Sequence, residues 1–179
     1  MMSAYTWGVV TGSCPDALDW RQSLGPDATQ ADAYAVCAIG HWLLWQLNHL
    51  FRKEARDRAT ALLTPIVEDV VVRAICREVP TLRGIRSPGA TRARKWAQDW
   101  LSGLDRSGGS AWSVWEQMDV GPNPFGVAAA ASYLDTGPIW LAAWNAECYS
   151  TATKEEIRIE RLRQANAIRR IIPKWPGRI

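Results

Sequence analysis

The sequence predicts an all-α fold, a single domain spanning residues 1–179 built as a bundle of about eight or nine short helices around a tryptophan-rich core. Three observations predict it. Apolar residues recur three and four apart in almost every segment, whereas the alternation expected of half-buried strands is nearly absent. Glycine and proline punctuate the chain at short intervals, leaving no stretch that reads as a domain linker. Eight of the 11 tryptophans fall into pairs one helical turn apart, which places both rings of a pair on one helix face.

Residues 1–13 carry no helical periodicity and read as an irregular N-terminal segment. Pro15 sits at a first helical position, and the helix it opens stops at Gly25-Pro26. Asp27 is the expected cap of a helix over 28–39, with Ala31, Tyr34, Ala35 and Ala38 on its inner face. Gly40 closes that helix, and His41–Phe51 forms a strongly apolar third one. The charged stretch Arg52–Arg58 feeds a helix that runs to Leu63 and breaks at Thr64-Pro65, because proline disfavours the helical region for the residue before it. A helix from Pro65 to Val79 follows. Val70-Val71-Val72 taken alone suits a strand, but the flanking Glu68, Asp69 and Arg73 and the three-four spacing favour helix.

Residues 81–87 form an irregular basic segment, after which Ser87-Pro88 supplies a cap and a first-turn proline for a helix ending near Gly103. Gly108-Gly109-Ser110 leads into a short helix through Met118. Gly121-Pro-Asn-Pro-Phe-Gly126 reads as a turn-rich loop, followed by an alanine-rich helix over 127–134 and, after Asp135–Pro138, another to Ser150. Thr153 caps the last helix, with Glu155 and Glu156 at the positive end of its dipole, and Pro173 ends it. Residues 173–179 are a basic tail.

Hydrophobic residues at 47% and charged residues at 22% are ordinary globular values, so disorder is not expected. Four cysteines, Cys14, Cys37, Cys76 and Cys148, are scattered without a C-x-x-C pair, which gives no support to a zinc ribbon or a thioredoxin-type site. The N-terminus lacks the basic and apolar regions of a signal peptide, and no apolar run approaches the ~18 residues of a membrane span. A cytoplasmic protein with free thiols, no metal, no cofactor and no membrane partner is the expectation.

The pairs Trp42/Trp45, Trp96/Trp100, Trp112/Trp115 and Trp140/Trp144 are expected mainly in the core, where each ring removes roughly 150–250 Å² from water. Trp112/Trp115 is the pair expected to stay exposed for a partner, because it lies on a short helix between two Gly/Pro-rich stretches. Cys37 and His41 are four apart and can be imagined as a nucleophile pair, but a buried thiol and a capping or surface histidine is the simpler reading. Serine-hydrolase, Walker A, dinucleotide-binding, H-E-x-x-H and EF-hand patterns are missing, so no catalytic residue is assigned and binding is expected rather than catalysis.

Two basic clusters stand out. Arg83, Arg86, Arg92, Arg94 and Lys95 surround the expected start of the 88–102 helix with no acid between them, a candidate anion site. Residues 154–179 carry eight basic and three acidic side chains, net +5, against net −2 for the remainder. There Arg163, Arg169, Arg170, Lys174 and Trp175 are expected on the surface, as a contact for an acidic protein or nucleic acid.

Cys14-x-x-Ala-Leu-Asp-Trp20 followed by Ala33-Tyr-Ala-Val-Cys37-Ala-Ile-Gly40-His-Trp-Leu-Leu-Trp45 resembles a family of alanine-rich helical proteins of bacteriophages and bacteria. Its relatives carry A-W-x-x-C-x-R-G-D-W-x-L-W here. Further matching stretches run from Ala74-Ile-Cys76 to Pro80, from Arg86 to Trp96 with Gly103, and from Leu162 to Pro173, in the family's order. Tyr34 stands where the family has tryptophan, His41 where it has aspartate, and Arg86-Ser-Pro-Gly-Ala-Thr-Arg92 replaces R-P-R-x-A-I. Some relatives are labelled Imm-5-like immunity proteins. The resemblance implies a helical bundle from a phage or mobile element and carries no catalytic residue across. The leading expectation is a non-enzymatic accessory protein that binds a host or phage protein, as an anti-defence or immunity factor. Nucleic-acid binding through the two basic clusters comes second, and nucleotide or small-anion binding at Arg83, Arg86 and Arg92 third.

Overall fold

The computed structural model describes residues 2–50, 52–116, 122–148 and 152–176, with the side chains of 122–126, Thr136 and Cys148 left aside. The fold is all-α. Its helices are α1 (Ala4–Thr11), α2 (Pro15–Ser23), α3 (Gln30–Val36), α4 (Gly40–Asn48), α5 (Lys53–Glu78), α6 (Pro88–Ser102), α7 (Gly108–Glu116), α8 (Pro122–Thr136), α9 (Ile139–Cys148) and α10 (Lys154–Ile171), with a 3-10 turn at Val79–Leu82. An isolated antiparallel bridge joins Ser3 to Thr29, and there is no strand among the described residues.

The chain divides into two compact units: residues 1–61 with 161–179, and residues 62–160. In the first, α1 packs on α2 and α3, and its buried apolar set includes Trp7, Tyr34, Leu43, Leu44, Leu47 and Ile168. In the second, the residues of α5 beyond 62 contribute Val70, Val71, Ala74 and Ile75, and α6 contributes Ala93, Trp96, Ala97 and Trp100. Ala111 and Val114 of α7 and the alanines of α8 complete that core, with α8 packed between α7 and α9.

Local signals place several boundaries as expected. Ser87 Oγ accepts the Ala90 N–H at 3.1 Å, Pro88 occupies the first turn of α6, and Gly103 closes it at φ 77°. Thr153 and Glu156 form a reciprocal capping box on α10: the Thr153 N–H donates to Glu156 at 2.7 Å and the Glu156 N–H to Thr153 Oγ1 at 3.2 Å.

Six expectations need correction. Residues 1–13 are not irregular: Ser3 caps α1 by accepting the Thr6 N–H, and Gly12 ends it in the left-handed region. The cap of α3 is Thr29, boxed with Asp32, rather than Asp27, and its buried side is Gln30, Ala33 and Tyr34 while Ala31, Ala35 and Ala38 are exposed. Gly40 opens α4 instead of closing α3, which ends at Val36, and glycine is required there by packing: a Cβ on Gly40 would sit 2.3 Å from Gln164 Cβ. Thr64-Pro65 does not break α5. Leu63, Val67, Val70, Val71 and Ala74 form one buried stripe on both sides of the proline, and that burial outweighs the missing hydrogen bond. The short 3-10 turn replaces the start of the irregular segment expected over 81–87. The two prolines expected to hold a loop instead lie in the first turn of α8, where a missing N–H costs no intrahelical bond. The expected helix ends at Phe51, Met118 and Ser150, and Gly121, lie outside the described residues.

Candidate functional site

Helix α7 is short and its placement is set from its first residue. The Gly108 N–H donates to Asp135 Oδ2 at 3.2 Å, and a Cβ on Gly108 would lie 2.9 Å from the Ser132 carbonyl oxygen of α8. Glycine therefore allows the start of α7 to touch the α8 backbone. Ser107 Oγ accepts the Ser110 N–H, and Ala111 and Val114 turn into the core. The period of 3.6 then sends Trp112 outward and leaves Trp115 on the flank. Trp115 packs against the core, and Trp112 rests on it with ring centroids 4.4 Å apart and planes inclined by 46°. Trp112 is 39% exposed. A rigid indole is thus held at the surface by a second indole anchored below it.

The other pairs behave differently. Trp96 and Trp100 are both buried, with centroids 5.8 Å apart, so this pair is core as expected. Trp42 and Trp45 are half-buried and do not pair with each other: Trp42 meets Trp20 at 5.6 Å and Trp45 meets Trp7 edge-on at 5.7 Å. Trp144 is 38% exposed and Trp140 half-buried, an exposed ring that the sequence reading missed. The signal was present in Ile139, Ala142, Ala143 and Ala146, a stripe of mostly small residues that α9 buries, which turns Trp144 out of the core.

The candidate anion cluster is divided by its own bonds. Arg94 donates to the carbonyls of Leu82 at 2.7 Å and Ile85 at 3.0 Å, bracing the turn before α6, and Lys95 pairs with Asp99 at 2.7 Å. Arg83, Arg86 and Arg92 are exposed. In the C-terminal cluster Arg163, Arg170 and Lys174 are exposed, but Arg169 is not a free surface cation. Its guanidinium donates to the Tyr34 carbonyl at 2.9 and 3.2 Å and to that of Cys37, satisfying the end of α3. Trp175 does not trail into solvent either. It is half-buried, 5.7 Å from Trp7 and 5.6 Å from Tyr34.

Cys37 donates its thiol to the Ile39 carbonyl at 3.5 Å, and burial pushes its pKa up to about 11, away from a nucleophilic thiolate. His41 is buried against Trp42 instead of lying at the surface, and His49 Nδ1 sits 2.8 Å from the Trp45 carbonyl. Among the described residues no group of three or more His, Cys, Asp or Glu is placed to hold a metal ion, and no helix is long and apolar enough to cross a membrane.

The first unit also holds a buried polar chain that sequence reasoning did not find. Arg21 is 1% exposed and donates to the Ala4 carbonyl at 3.2 Å and to Gln30 Oε1 at 2.5 Å. Gln30 in turn donates to Gln46 at 2.7 Å. The guanidinium lies 5.0 Å from the centre of the Trp7 ring, a cation–π arrangement, and burial lowers its pKa to about 10. No local pattern marks an arginine for burial. Gly8 permits it, since a Cβ there would lie 2.8 Å from Arg21 Cδ.

Compared with known proteins, the chain matches no family model, no curated protein and no solved structure.

Proposed function

We propose that the protein works by binding another protein, and that the Trp112–Trp115 face of α7 is the surface it presents. The observation that carries this reading is the exposed Trp112 ring resting, tilted and with centroids 4.4 Å apart, on a half-buried ring packed against the core. Such an indole has little conformational freedom left to lose and a large area to bury, the properties of an interface anchor. In the setting implied by the sequence resemblance, a bacteriophage or mobile element, the partner is a host or phage protein. The role is then that of an accessory factor, either anti-defence or immunity.

The test is affinity capture from host lysate with the wild-type chain and with Trp112→Ala, after both are shown to melt alike. A stoichiometric partner held by the first and lost by the second, with affinity down about 30-fold or more, is expected for an anchor worth ~2 kcal/mol. A partner held equally by both rejects the α7 surface, and no stoichiometric partner rejects the function. The exposed Arg163, Arg170 and Lys174 favour nucleic acid as a second reading. Filter binding across a salt series separates the two, because phosphate contacts weaken steeply with salt.

A further inference from the structure

We infer that residues 173–176 form a releasable strap, latched by the Trp175 ring in a preformed seat for an indole. Up to Ile172 the chain is bolted down. Arg169 is held on the carbonyls of Tyr34 and Cys37, Tyr34 Oη donates to the Ile172 carbonyl at 2.7 Å, and the Ile172 N–H still closes the last turn on Ile168 at 2.8 Å. Pro173 then ends the helix. Beyond it, none of residues 173–176 makes a hydrogen bond or ion pair among the described residues, so packing alone holds this segment, through the Trp175 ring with the half-buried Pro176 beside it. It stands edge-on to Trp7 (83°) and tilted on Tyr34 (53°).

The seat does not depend on the ring that fills it. Trp7 is supported from elsewhere by Trp45 at 5.7 Å and by the Arg21 guanidinium at 5.0 Å, and Tyr34 is fixed within α3. Trp7 and Tyr34 are 4% and 1% exposed with the strap in place. Releasing it uncovers two aromatic rings already fixed by contacts of their own, so little ordering cost opposes rebinding. Attachment by side-chain packing, without backbone bonds, is the mark of a segment that opens locally while its unit stays folded. The ligand class is therefore an indole: Trp175 in the closed chain, the tryptophan of a partner peptide in the open one.

Trypsin reads the opening, because the Lys174–Trp175 bond lies inside the strap while Arg163 and Arg169 lie in α10. In the full-length wild-type chain, saturating 3-methylindole should raise cleavage at Lys174 several-fold and leave cleavage at Arg163 unchanged. Trp175→Ala should raise it on the order of 10-fold, the loss of two aromatic contacts, and Trp175→Phe by less. The variant should also bind 3-methylindole more tightly than the wild type. Cleavage at Lys174 unmoved by 3-methylindole in the wild type overturns the proposal. So does a parallel rise at Arg163 and Lys174 in Trp175→Ala, which would make Trp175 ordinary core. Should Trp175→Ala not fold, the wild-type titration and Trp175→Phe decide alone.

Discussion

A methyl group added at Gly40 would stand 2.3 Å from Gln164 Cβ, 2.6 Å from Gln164 Oε1 and 3.3 Å from the Ala165 backbone nitrogen; the amide tip can swing away, but the Cβ and the backbone nitrogen cannot. Gly40→Ala should therefore cost roughly 2–3 kcal/mol in a urea melt, at the upper end of overpacking penalties. Gly109→Ala is the control. It lies in α7 with nothing within 4 Å of the added carbon, so it should be neutral or stabilising by up to about 1 kcal/mol. An equal loss in both would mean that the closeness of α4 to Gln164 is not what requires glycine. The same reasoning explains why Arg21 escaped sequence reading. An arginine becomes a buried group only when a particular backbone, here Gly8 without a Cβ, lets its stem pass. The Trp112–Trp115 pair was legible as a same-face pair because that relation is set by spacing within one helix. The partners of Trp42 and Trp45 were not, since Trp20 and Trp7 reach them from other helices.

The caps of α6 and α10 were legible in the same way, because Ser87-Pro88 and Thr153-x-x-Glu156 act within one turn. Pro65 misled for a physical reason. A proline reads locally as a stop, yet the buried stripe from Leu63 through Ala74 carries α5 across it. Pro65 is itself exposed, so its replacement removes no core contact. Pro65→Ala should restore an amide donor to the Ala61 carbonyl and raise unfolding free energy by about 1–3 kcal/mol, read from the shift of a urea midpoint at constant slope. A loss of stability instead would show that the proline shapes α5 rather than being tolerated by it.

For the molecule as a whole, the clearest titration lies on the alkaline side. Burial pushes Cys37 from 9.0 up to about 11 and Tyr34 from 10.0 up to about 12. Both folded values are above the unfolded ones, so their contribution is complete below pH 9 and is lost as pH rises through the folded values. Burial lowers Arg21 from its ordinary strongly basic value to about 10, which acts with the opposite sign and begins only near pH 10. Between pH 9 and 10 the thiol therefore dominates, and unfolding free energy should fall by about 1 kcal/mol across that interval. Cys37→Ala should flatten the slope there. A slope unchanged in that variant would assign the alkaline loss to other groups.

What this chain's own residues dictated is what acts over a few positions: helical periodicity, caps at Ser87 and Thr153, the stop at Gly103, and the pairing of Trp96 with Trp100 and of Trp112 with Trp115. What only the tertiary structure decided is which faces meet. It buried Arg21, placed Gly40 under Gln164, drew Trp175 onto Trp7 and Tyr34, and left Trp112 and Trp144 at the surface. Local propensities act through neighbours one turn away, whereas burial is settled by contacts between segments far apart in the chain, and no short pattern encodes those.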